Sequence, residues 1–87
     1  MDQLGKNIRQ GKEAASFVTA QPWLDAVAKL QANYFRVFVD SKPEDSVARE
    51  KAYLKYRALS DIEIELKKVI DNGMVAESEV RRVIRKN

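Results

Sequence analysis

The sequence predicts an all-α protein built on an antiparallel helical hairpin, with a weaker helix in front and a short basic helix behind. Three observations carry this. Residues 48–69 contain no Gly or Pro and are rich in Ala, Leu, Glu, Lys and Arg, and Ala48, Ala52, Leu59, Ile62, Leu66 and Val69 recur at three, four and seven residues, the spacing of a helical face. Residues 22–39 form a second apolar stretch of helical period. Between them lies a short polar loop, Asp40-Ser41-Lys42-Pro43-Glu44-Asp45, and a short loop joining two long helices makes them antiparallel neighbours. At 87 residues the chain is expected to be a single helical domain with a modest core.

The first helix is expected over residues 2–20. Leu4, Ile8, Ala15 and Val18 can share a face, with Phe17 beside them. Gly5 and Gly11 each weaken it by about 1 kcal/mol relative to Ala, so its first turns are expected to fray or to be held only by a partner. Lys6, Arg9 and Lys12 leave two readings open, a mobile basic arm or an ordinary docked helix with a loose end. Pro22 ends this helix, because proline disfavours helical geometry in the preceding residue, Gln21. The same proline suits the first turn of a second helix over residues 22–39. The apolar arc of that helix is Leu24, Val27, Ala28, Leu30, Tyr34, Phe35, Val37 and Phe38. It broadens toward the C-terminal end, so contacts on more than one side are expected, from the first helix or from another subunit. Asp25 and Lys29 are spaced for an i,i+4 pair.

In the loop, Ser41 and Glu44 have capping-box spacing, but Asp45 or Ser46 is the preferred start of the third helix, with Pro43 in the turn. This helix is expected over residues 46–70. Lys55 interrupts its apolar face, and Gly73 in Asp71-Asn72-Gly73 has the character of a left-handed cap. A short last helix follows over residues 76–86. Glu77 and Glu79 open it and Arg81, Arg82, Arg85 and Lys86 close it, the order the helix dipole favours.

Composition narrows the chemistry. The chain has no Cys, hence no disulfide and no thiolate metal site, and no His, the commonest general base. No stretch approaches the roughly 18 apolar residues of a membrane span. The N-terminus lacks the apolar core of a signal peptide, so a cytoplasmic setting is expected. Asp61, Glu63 and Glu65 form a local acidic group, with Asp61 and Glu65 on one face. With no second helix clearly supplying carboxylates, the group reads as a solvated surface, with Glu63 and Lys67 spaced to pair. No catalytic residue, cofactor or metal site is expected.

Two surfaces are candidates for function. Trp23, Tyr34, Phe35 and Phe38 on the second helix, with Tyr53, Tyr56, Arg57 and Ile64 off the main face of the third, have the composition of a protein interface. The Tyr53-Arg57-Ser60-Ile64 line serves either another helix of the chain or another subunit. Small helical proteins short of core often oligomerise, which favours a homo-oligomer. The second surface is Arg81, Arg82, Arg85 and Lys86. The net charge is +3, and residues 74–87 hold most of it, so any phosphate contact would rest on this tail.

Lys12, Ala14-Ala15, the Pro22/Leu24/Ala26 corner, Leu30, Ser41-Lys42-Pro43-Glu44-Asp45, Ala48-Arg49-Glu50, Tyr53, Ala58-Leu59, Leu66 and Asn72-Gly73 make a pattern spanning most of the chain. It resembles small helical-hairpin proteins of tailed bacteriophages, found among head-morphogenesis and DNA-packaging genes. The resemblance implies a viral accessory protein acting in the host cytoplasm, with virion association as a further possibility, and implies no catalytic residues. The function expected is non-catalytic phage assembly or host takeover through protein–protein contacts, with itself as a homo-oligomer and with a phage or host protein. The alternative is a DNA-binding protein, a small packaging subunit or regulator, using the basic tail.

Overall fold

The computed structural model describes residues 2–86, and the Lys86 side chain lies outside what it describes. The fold is all-α: three helices, α1 Asp2–Val18, α2 Gln21–Asp40 and α3 Ser46–Lys86, with no strand among the described residues. No helix is long and apolar enough to cross a membrane.

Helix α1 is assigned from Asp2 and passes through Gly5 and Gly11. Its end satisfies carbonyls that would otherwise lack partners. The Thr19 hydroxyl donates to the Ala15 and Ser16 carbonyls at 2.9 and 3.2 Å, and the Ala20 N–H donates to the Phe17 carbonyl at 3.1 Å. Helix α2 then starts at Gln21, with Pro22 in its first turn, where a missing N–H costs nothing. The Asp25–Lys29 pair does not form; the Gln21 side-chain amide donates to Asp25 Oδ1 at 2.7 Å instead.

The loop after α2 is held from both sides. Ser41 closes α2, donating from its hydroxyl to the Phe38 carbonyl at 2.9 Å, and because α3 begins at Ser46, Ser41 and Glu44 are not at the positions of its capping box. Asp45 is the N-cap of α3, its carbonyl accepting the Arg49 N–H at 3.1 Å. Its carboxylate turns back and accepts the Lys42 N–H at 2.9 Å. The Arg49 guanidinium spans the loop, donating to Ser41 Oγ at 3.2 Å, the Lys42 carbonyl at 2.6 Å and the Pro43 carbonyl at 3.2 Å.

The expected break at residues 71–73 is absent. Helix α3 continues through Gly73 to Lys86, so the basic segment is the end of α3 and not a separate helix. No described glycine has a positive φ, so Gly73 is not a left-handed cap. Its role is close approach. A Cβ on Gly73 would lie 2.9 Å from the Gly11 Cα and 2.9 Å from the Asn7 carbonyl oxygen, and a Cβ on Gly11 would lie 2.9 Å from the Gly73 Cα. Two helix backbones meet where neither has a side chain, and the same contact explains why α1 tolerates Gly11.

The contacts within the chain cluster into two compact units. One comprises residues 2–20 and 64–86, the other Gln21–Glu63, so α3 contributes to both. In the first, Ala14 and Ala76 are buried along with Gly11 and Gly73. In the second, Ala52 and Leu59 are buried. Of the apolar face expected on α3, Leu66 and Val69 are half-buried, but Ala48 is exposed and Ile62 is 51% exposed. At about 3.6 residues per turn, Ile62 points about 80° away from the Ala52 direction, and Glu63, about 20° away, occupies the half-buried position. Helix α2 has no buried residue at all.

Candidate functional site

Four of the expected interface residues come together in the Gln21–Glu63 unit. Tyr34, Phe35 and Phe38 project from successive turns of α2, and Tyr56 reaches the same place from α3. With Gln31 they line an open cleft of about 290 Å³. The i, i+3, i+4, i+7 spacing of Gln31, Tyr34, Phe35 and Phe38 puts all four on one side of the helix. Three of the four rings are exposed, Phe35 by 69%, Phe38 by 42% and Tyr56 by 45%, and Tyr34 is half-buried. No lining residue carries a charge. The cleft therefore offers apolar rings with hydroxyl and amide groups.

The remaining expected interface residues do not line this cleft. Trp23 is half-buried near the start of α2, Tyr53 and Arg57 are exposed on α3, and Ile64 is exposed and belongs to the other unit. Gln31 is a cleft residue that the apolar pattern passes over, because amphipathic reading counts only hydrophobic positions. Arg49 was legible only as part of the bacteriophage-like pattern; nothing in its helical spacing signals a guanidinium turned back onto the preceding loop.

The basic segment forms a second surface. Ser78, Arg81, Arg82 and Arg85 line one concavity on the last turns of α3. Arg81 pairs with Glu77 at 3.9 Å, as the spacing predicts, and Arg82 pairs with Glu79 at 2.7 Å. All four side chains are solvated, so these pairs hold the arginines weakly. Lys86, the fourth basic residue expected here, lies outside the described side chains.

In the acidic group on α3, Asp61 and Glu65 are exposed and Glu63 is half-buried. Glu65 pairs with Lys68 at 3.1 Å, and Lys67 pairs with Asp71 at 3.2 Å instead of with Glu63. Among the described residues no three carboxylates gather as metal ligands would.

Fold and surface thus define a class: an all-α protein of three helices presenting an aromatic cleft and a basic stripe. No protein-family model, no curated protein and no solved structure matches the chain.

Proposed function

We propose that this chain is a non-catalytic accessory protein of a tailed bacteriophage that works in the host cell through protein–protein contacts, first of all with further copies of itself. The observation that carries the contact reading is the mismatch between apolar content and burial. Hydrophobic residues make up 45% of the chain, yet among the described residues the buried hydrophobic ones are Ala14, Ala52, Leu59 and Ala76. Burying a Leu or Phe side chain is worth about 1.5–3 kcal/mol, and this chain leaves large side chains such as Leu24, Phe35, Phe38 and Ile62 exposed. Association covers such side chains. The phage assignment rests on the sequence resemblance alone. In this reading α2 and the first part of α3 pair as an antiparallel hairpin about the loop that Arg49 clamps, and the hairpin presents the cleft.

The test compares two sets of substitutions. Phe38→Ala or Tyr53→Ala is expected to lower the mass of the assembly measured by light scattering. Replacing Arg81, Arg82 and Arg85 with Gln is expected to leave the mass unchanged. The opposite pattern would move the contact surface to the tail.

A DNA-binding role is the second reading, supported by the gathering of three arginines on one helix edge. It predicts that duplex DNA binds through the tail and that affinity falls about a hundredfold or more between roughly 50 and 200 mM salt, as phosphate neutralisation requires. Fluorescence anisotropy at the two salt concentrations decides it, and no binding at the lower one removes this reading.

A further inference from the structure

Leu24, Ala28, Gln31, Phe35 and Phe38 follow one another on α2 at steps of four, three, four and three residues. That is the period of a coiled-coil seam, about 3.5 residues, rather than the looser pattern of a helix set on a globular core. All five positions are exposed, so within its own chain the seam is not covered. Three features of the seam identify what covers it.

The first is charge. No seam residue is ionisable, so a second identical seam meets it without like-charge repulsion. Self-docking of the arginine stripe would be opposed by such repulsion. The second is size. The seam is graded from Leu24 and Ala28 at one end to Phe35 and Phe38 at the other, with Gln31 in the middle, seven residues from both Leu24 and Phe38. A parallel pair would crowd four Phe rings at one end and leave two Ala opposite each other at the other. An antiparallel pair lays the bulky half of each helix over the small half of the other, so both halves fill evenly. The third is the rim. Asp25 and Arg36 flank the same edge of the seam near its two ends. Antiparallel pairing brings the carboxylate of one copy toward the guanidinium of the other at two symmetric places, and parallel pairing does not. A patch that complements itself under a two-fold rotation is what an isologous dimer requires.

We infer that α2 pairs antiparallel with α2 of a second copy along Leu24, Ala28, Gln31, Phe35 and Phe38, with the two-fold axis beside Gln31. Gln31 is the one polar side chain in the seam. In the pair it lies next to its counterpart, where amide–amide hydrogen bonding fixes register, the role a lone polar residue plays in a coiled-coil core. The inference rests on the proposal that the chain self-associates, and it adds the surface, direction and register.

The absence of cysteine makes the test clean. Gln31→Cys and Leu24→Cys are prepared separately, both at exposed positions where folding is little affected, and treated with a short bismaleimide while mass is followed by light scattering. Axial rise is about 1.5 Å per residue, so antiparallel pairing separates the two copies' position 24 by roughly 20 Å and keeps the two position-31 residues close. The expected result is a dimer in which Gln31→Cys cross-links efficiently and Leu24→Cys at least tenfold less. Equal cross-linking of the two variants would mean a parallel pair and overturn the inference. An assembly in which neither cross-links would also overturn it, while leaving self-association standing. A monomer at every concentration would overturn both.

Discussion

Nothing lies within 4 Å of where a Cβ on Gly5 would be, whereas on Gly11 or Gly73 it would meet helix backbone at 2.9 Å. The same substitution therefore has opposite signs. Gly5→Ala is expected to stabilise the protein by about 0.5–1 kcal/mol, the ordinary helix-propensity gain. Gly11→Ala and Gly73→Ala are expected to destabilise it by about 1–3 kcal/mol, because backbone cannot yield as a flexible side chain would. Urea midpoints of the three variants check this, and stabilisation by Gly73→Ala would rule out the close crossing. Arg49 gives a second residue-scale prediction. Its three hydrogen bonds reach one hydroxyl and two carbonyls of the preceding loop. Arg49→Ala is expected to cost about 1–2 kcal/mol, discounted for partial solvation. Arg49→Lys should restore less than half of that, because an ammonium cannot span three acceptors as a planar fork does.

Among the elements, α2 and α3 were legible in different ways. The start of α2 at the Gln21-Pro22 corner and the start of α3 after Asp45 follow from local chemistry, a proline and an N-cap, which act within one turn. The end of α3 does not. Asp71-Asn72-Gly73 has the composition of a helix terminus, and only the approach of Gly11 from a distant part of the sequence makes Gly73 a mid-helix contact. A tertiary reason for a glycine leaves no local mark. Likewise the aromatic richness of α2 was visible, but not which rings share a cleft: Tyr34, Phe35, Phe38 and Tyr56 do, while Trp23 and Tyr53 do not line it. At this scale the account predicts that Phe35→Asp weakens association at least tenfold, because it sets two carboxylates into an uncharged seam at once. Sedimentation of the variant beside the wild type reads the change directly.

For the molecule as a whole, the helical class was plain from periodicity and composition, and a modest core followed from the length, whereas which residues fill that core was not legible. The sequence offers apolar residues enough for a small core, yet the side chains at the helix contacts are mostly small: Gly11, Ala14, Gly73 and Ala76 in one unit, Ala52 with Leu59 in the other. Small residues let backbones approach and leave the large ones, Phe35, Ile62, Met74 and Ile84 among them, at the surface. If the chain associates as proposed, association adds to its stability and its unfolding depends on concentration. The measurement that tests this most directly is sedimentation equilibrium of the wild-type protein over a series from low micromolar to near-millimolar concentration. The account predicts a mass that rises from the 10.0 kDa of one chain to at least twice that value, with reversible dissociation on dilution. A mass that stays at 10.0 kDa throughout would contradict self-association.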